Sequence, residues 1–381
     1  MRSILILLHT PSNAGYAIAP LESTFYKLAL ALSDGDASKV HFAYKHLRRG
    51  LPSVLPPEFR QYTEIDCQSS EASDHLRAQA YIRKHGIDVL FGFDQPVSSP
   101  LYKYFRRGGI RRLVSYWGAP MSSPNNWPIR MAKRARVLLN REGPDHYIFE
   151  SNGMAELAVM GAGIPRNRVS VVHLGVDTDS FRPEPQEAAY VYETLGIPEH
   201  RRVFFYSGHM EPRKGVAVLM KAANYLSAHR QRDDWHLVLC GNKGTESAPY
   251  IDMLSSGARE RVTFAGYRPD VPGLQRGSYA AIIASTGWDS FPRSGLEMQA
   301  SGLPLIASDL IGLRESVEDG VSGFLFPVGN AEALADIMAL LLDDPSRRAV
   351  LSRQARARVE RAFTIQGQLA SLIKVVRTAC C

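Results

Sequence analysis

Eleven short apolar runs, each four to six residues long, punctuate this chain, and helical patterns fill most of the gaps between them. A strand that shows neither face to water reads as continuously apolar, so such runs alternating with helices predict parallel sheets covered on both sides. The first set lies at 4–8, 40–44, 88–91, 113–116, 146–149 and 169–172. A second set restarts at 202–206 and continues at 235–240, 261–264, 279–284 and 304–307. The 381 residues suffice for two domains of ordinary size. The expected architecture is α/β, with two doubly wound, Rossmann-like domains facing a cleft. The stretch from Pro183 to Pro198, acidic and bearing prolines, reads as a linker. We therefore expect a first domain over 1–180 and a second over 181–362. Helices at 331–342 and 346–362 precede a last one, 365–378, which crosses back so that 363–381 joins the first domain.

The densest chemistry lies between Ile282 and Asp309, in IIASTGWDSFPRSGLEMQASGLPLIASD. An apolar run ends, a loop carries Asp289, Ser290, Phe291 and Pro292, a helical pattern opens at Ser294, and Gly302-Leu303-Pro304 closes it. A loop that feeds a helix N-terminus offers unpaired backbone N–H groups to an anion. Asp289 and Glu297, with seven residues between them, add carboxylates able to accept hydrogen bonds from sugar hydroxyls. An anion and a polyol side by side describe a nucleotide diphosphate-sugar.

With the Phe-Pro after its first acid and the Gly-x-Pro after its second, this stretch resembles the acidic-x7-acidic motif of family-4 retaining glycosyltransferases, which have the GT-B fold. The resemblance implies that the first acid holds donor-sugar hydroxyls and the second the ribose. The family's first acid is usually Glu; here it is Asp289, one methylene shorter.

A second segment, YSGHMEPRKGVAVLMKAA, resembles the family's Gly-Arg-x(n)-Arg/Lys-Lys-Gly loop. Arg213 and Lys214 stand where that loop enters a helix, and the resemblance implies that Lys214 clamps the diphosphate. His209, whose charge depends on pH near neutrality, occupies the place of the family's always-charged Arg; the departure either weakens donor binding, makes it pH-dependent, or leaves Arg213 to compensate. Gly15 follows the first strand, where the family carries a glycine-bearing loop that approaches the donor. That loop, HTPSNAGYAIAP, has no Gly-x-Gly-x-x-Gly fingerprint, which disfavours a nicotinamide cofactor. On the acceptor side, Trp117 stands where the family often holds a His, and an indole cannot accept a proton. With Trp127 it either builds an apolar platform for an acceptor ring or lipid, or serves packing. Asp177-Thr178-Asp179 has the form of a metal-binding Asp-x-Asp, but it lies in HLGVDTDSFRP, which resembles a structural segment of the family. No metal or other cofactor is expected.

The net charge of +7 is concentrated: from Gln95 to Arg141 the chain carries ten Lys or Arg and no Asp or Glu. Without a helix-turn-helix, zinc finger or stacking-aromatic motif, this does not point to nucleic acid. An anionic membrane surface and a phosphate-bearing acceptor both fit it. The run at 4–8 is shorter than a signal-peptide core and no run is long enough to cross a bilayer, so we expect a cytoplasmic protein, with a peripheral place at the inner membrane face open. Cys67, Cys240, Cys380 and Cys381 show no metal-ligand spacing, and reduced thiols are expected.

The function expected from these residues and the resemblance is metal-independent, retaining transfer of a sugar from a nucleotide diphosphate-sugar to a glycan, lipid-linked or small-molecule acceptor. Two alternatives stay open: a non-hydrolysing sugar-nucleotide epimerase, and a non-catalytic partner of another glycosyltransferase.

Overall fold

A computed structural model describes residues 2–16, 18–229 and 232–380. The chain divides into two units, Met1–His173 with Gln366–Cys381, and Leu174–Ile365. In the first unit the strands are β1 Ile4–Leu7, β2 Val40–Tyr44, β3 Tyr62–Glu64, β4 Val89–Phe93, β5 Arg112–Trp117, β6 His146–Phe149 and β7 Val169–Val171. Its helices are α1 Ala19–Leu32, α2 Ala72–Lys84, α3 Tyr102–Gly108, α4 Trp127–Leu139 and α5 Asn152–Leu157. The second unit holds β8 Arg202–Ser207, β9 Trp235–Cys240, β10 Val262–Gly266, β11 Ala280–Ile283, β12 Leu305–Ser308 and β13 Gly323–Phe326. Its helices are α6 Tyr190–Leu195, α7 Val216–Ala228, α8 Ala248–Ile251, α9 Ser256–Arg259, α10 Val271–Arg276, α11 Arg293–Ala300, α12 Ala331–Asp343 and α13 Pro345–Ala362. The last helix, α14 Ile365–Cys380, belongs to the first unit from Gln366 onward.

Both sheets are wholly parallel. Their orders are β3-β2-β1-β4-β5-β6-β7 and β10-β9-β8-β11-β12-β13. In each, the chain starts in the middle, winds to one edge, then returns and winds to the other. That reversal opens a crevice beyond the strand ends, between β1 and β4 in the first unit and between β8 and β11 in the second. The central strands are buried end to end, as continuous apolar runs require: Ile4–Leu7, Val89–Phe93, Trp235–Cys240 and Ala280–Ile283 show no exposed position. Ile4 stands in register with Val40 on one side and Val89 on the other.

In the second unit, α7 buries Val216, Leu219, Met220, Ala223 and Leu226 against the sheet, at the spacing of one helical face. α12 and α13 begin at side-chain caps. Asn330 accepts from the Ala333 N–H at 3.0 Å, and Asp344 accepts from the Arg347 N–H at 2.8 Å. Such caps contribute about 1 kcal/mol each.

Two edge strands, β3 and β13, add to the eleven read from the apolar runs. The stretch from Pro183 to Pro198 is not a linker. It forms a 3-10 turn at Pro185–Glu187 and then α6, and Val191 and Ile197 are buried in the second unit's core. The free thiols of Cys67 and Cys240 are pushed up by burial, to about 11 and about 12. Cys381 and the side chain of Cys380 lie outside the described residues. Among the described residues no helix is long and apolar enough to cross a membrane.

Candidate functional site

The crevice of the second unit is built by the loops after β8 and β11. After β8 the chain turns at Gly208, whose N–H donates to the Cys240 carbonyl at 3.0 Å. The Tyr206 hydroxyl donates to the His209 carbonyl at 2.8 Å, which fixes the loop and leaves the His209 side chain exposed. A 3-10 turn, Pro212–Lys214, then presents Arg213 and Lys214 in front of α7. Gly215 begins that helix at φ 72°, and a Cβ there would stand 1.7 Å from the Ala284 carbonyl oxygen. Only glycine lets the two loops approach this closely.

The contact it permits is the centre of the site. Lys214 Nζ lies 2.8 Å from Asp289 Oδ2, joining residues 75 positions apart. Asp289 is 5% exposed, and its Oδ2 also accepts from the Ser285 hydroxyl at 3.0 Å. The Arg213 carbonyl accepts from the N–H groups of Thr286 and Gly287 at 2.7 and 3.2 Å. Its guanidinium stacks 4.0 Å from the Trp288 ring centroid, donates to the Trp288 carbonyl at 3.1 Å and pairs with Glu211 at 2.7 Å. Two ion pairs, Lys214–Asp289 and Arg213–Glu211, therefore stand side by side at the switch point.

Ser290 and Phe291 are buried, and Phe291 packs edge-on against Phe363 at 5.2 Å. Gly312, at φ 95°, lies so near the Asp289 and Ser290 carbonyls that a Cβ would stand 2.2 and 2.3 Å from their oxygens. α11 starts at Arg293 after Pro292, one residue before the sequence pattern suggests. Glu297 is buried in its second turn, 3% exposed.

The first unit's crevice holds groups that the sequence did not single out. Asp94 closes β4 with a positive φ of 52°, and its Oδ1 accepts from the Gly118 N–H at 2.9 Å. Burial pushes its carboxyl up to about 6, offset in part by that N–H and by the charge of His9. His9, just past β1, stacks on Phe93 with centroids 5.3 Å apart. An acid that ends an apolar run is the signal that could have marked Asp94. Gly15 lies in the loop before α1 at φ 114°, a conformation that suits glycine, and its carbonyl accepts the N–H groups of Ile18 and Ala19. Trp117 is half-buried against Tyr147 and Phe149, and its indole N–H donates to the Gln95 carbonyl at 3.2 Å. Trp127 is 66% exposed at the start of α4. Asp177 is spent locally: it accepts from the N–H groups of Asp179 and Ser180 and from the Ser180 hydroxyl.

Comparison with known proteins bears on this arrangement. Residues 192–358 match the family model described as glycosyl transferases group 1. The D-inositol 3-phosphate glycosyltransferase of Thermobispora bispora is 32% identical over 200 residues, covering 50% of this chain and 46% of that protein. The UDP-Gal:alpha-D-GlcNAc-diphosphoundecaprenol alpha-1,3-galactosyltransferase of Escherichia coli is 24% identical over 211 residues, covering 55% and 54%. The chain thus spans about half the length of the curated relatives it matches. A solved glycosyltransferase from Rickettsia africae ESF-5 superposes with a TM-score of 0.82 at 17% identity, covering 100% of this chain and 99% of that one. The shared fold is GT-B, as the sequence resemblance implies.

Proposed function

We propose that this chain transfers a sugar, with retention at the anomeric carbon, from a nucleotide diphosphate-sugar to a glycan, lipid-linked or small-molecule acceptor, a reading supported by the match of residues 192–358 to the family model of glycosyl transferases group 1. The observation that carries this reading is the Lys214–Asp289 pair across the second unit's switch point, with Arg213 beside it. The chemical task is to stabilise negative charge that builds on the leaving diphosphate, and preorganised cations in a sheltered crevice do this well.

In the proposed reaction the acceptor hydroxyl attacks the anomeric carbon as its bond to the diphosphate oxygen breaks. The bonding pair leaves with the diphosphate, on the face the acceptor approaches, and the acceptor's proton passes to a departing phosphate oxygen. Lys214 and Arg213 bear the charge, so no metal is needed. Asp289 holds donor-sugar hydroxyls and Glu297 the ribose. Asp94 is the group of the first unit suited to orient an acceptor hydroxyl. The Escherichia coli relative's name specifies UDP-galactose and an acceptor on diphosphoundecaprenol, which supports a uridine nucleotide and a lipid-linked acceptor here. Such an acceptor would put the protein's work at the cytoplasmic face of the membrane.

The test is to incubate the purified chain with a panel of nucleotide sugars and follow both nucleoside diphosphate release and sugar identity. Slow acceptor-free hydrolysis of one donor, unaffected by EDTA, is the expected result. Interconversion of the sugar without release would identify an epimerase, and inertness toward every donor a non-catalytic partner. Loss in EDTA with recovery on adding Mg2+ would refute the metal-independent mechanism.

A further inference from the structure

An amphipathic helix on a protein surface ordinarily turns its apolar stripe inward and its charges to water. α4 does the reverse. With 3.6 residues per turn, Trp127, Met131, Ala135 and Leu138 fall on one side, with Leu139 next to them. All five are exposed, Trp127 at 66% and Leu139 at 81%. Arg130, Lys133 and Val137 fall on the opposite side and face the protein.

The inward face is held by polar bonds. Lys133 Nζ donates to the Gly161 carbonyl at 3.0 Å, and Arg130 reaches Met160 Sδ at 2.9 Å. Before the helix, Asn125 Nδ2 donates to the same Gly161 carbonyl at 2.6 Å, and after it Asn140 Nδ2 donates to the Val97 carbonyl at 2.8 Å. Gly163 allows the backbones to meet, since a Cβ there would stand 2.6 Å from the Arg134 nitrogen. The orientation is therefore anchored along the whole helix, and its apolar side is committed outward. A contiguous apolar face of this kind marks a surface that something else covers.

The surrounding charge selects the occupant. Arg136 and Arg141 are exposed beside the face, and no acidic residue occurs between Gln95 and Arg141. We propose that α4 lies in the surface of an anionic lipid bilayer, with the Trp127–Leu139 side at headgroup depth and Arg136 and Arg141 on the lipid phosphates. A short helix with one apolar side, a Trp at its end and flanking cations suits that interface. The proposal stands apart from the transferase reading, because docking needs neither donor nor turnover.

Flotation with vesicles of phosphatidylcholine alone, and of phosphatidylcholine and phosphatidylglycerol in equal parts, tests it. The protein should float with the mixed vesicles and not with the neutral ones, and should detach as salt screens the charges. Leu139→Glu should weaken binding by about tenfold or more, since burial of one leucine is worth that much. Leu139→Ser should weaken it less, and both should keep the wild-type melting temperature because the position is exposed. Equal binding by wild type and Leu139→Glu, or equal binding to both vesicles, overturns the proposal. So does a wild-type dimer that Leu139→Glu dissociates while neither protein floats, which assigns the face to a second copy of the chain.

Discussion

Replacing Lys214 with Ala separates two things the residue does. Unit charges 2.8 Å apart attract by about 6 kcal/mol at an effective dielectric constant near 20. The Lys214 side chain is 20% exposed and Asp289's 7%, so part of that attraction replaces hydration. A net cost of about 2–3 kcal/mol follows, below the 3–5 kcal/mol typical of breaking a fully buried pair. The loss arises because Asp289 keeps the Ser285 hydroxyl but loses its cationic partner. Adding Asp289→Asn to Lys214→Ala should then recover most of the stability, since no buried charge is left without a counter-ion. Affinity for a nucleoside diphosphate should behave differently. If Lys214 grips the diphosphate, the single variant loses about 2–3 kcal/mol of a charge-assisted contact, roughly 30-fold or more in affinity, and the double variant regains none of it. Urea unfolding and calorimetric titration with uridine diphosphate read the two quantities on the same samples. Wild-type affinity in Lys214→Ala, or recovery of affinity in the double variant, would show that Lys214 only neutralises Asp289.

Two further outcomes test the frame around the site. Gly215→Ala should cost on the order of 3 kcal/mol or more in unfolding free energy, because its Cβ would overlap the Ala284 carbonyl; an unchanged melting temperature would refute the close approach of the two loops. Glu22, in the first turn of α1, is 1% exposed, and neither its Oε1 nor the Tyr44 hydroxyl has a hydrogen-bond partner of ordinary geometry. Burial pushes its carboxyl up from 4.5 to about 7, offset in part by Tyr44. A raised folded-state value means its contribution is fully present below the unfolded value near 4.5 and is lost as pH rises through about 7. Glu22→Gln should therefore match wild type near pH 4.5 and exceed it by on the order of 3 kcal/mol at pH 8. Parallel stability curves for the two proteins across that range would contradict this.

The central strands were legible because each is buried on both faces and so reads as unbroken apolar sequence. β3 was not, since Tyr62-Thr63-Glu64 sits half-exposed at a sheet edge. β13 opens on a glycine, so its apolar run is only Phe324-Leu325-Phe326, shorter than the runs that were read as strands and preceded by Gly320 and Ser322. The stretch around α6 misled because prolines flank it, whereas burial of Val191 and Ile197 holds it in the core. Lys214, Arg213, Asp289 and Glu297 could be placed on loops and a helix start from local pattern alone. The Lys214–Asp289 bond could not, because its partners are brought together only by the adjacency of β8 and β11. Trp288 lies inside the most informative stretch of the sequence, yet nothing in its spacing announces that Arg213 would stack on it. The Trp117 indole finds its acceptor at Gln95 across the pairing of β5 with β4, another relation that exists only in the sheet.

The path of α14 has a consequence for how the protein is made. Residues 174–365 form one uninterrupted unit, whereas the first unit needs residues 366–380, where Leu372 and Val376 are fully buried. On a translating ribosome the earliest-made sheet must therefore wait, its apolar docking groove open, while the entire later unit emerges and can close first. For that interval the nascent first unit depends on chaperones or on its own partial order to avoid aggregation.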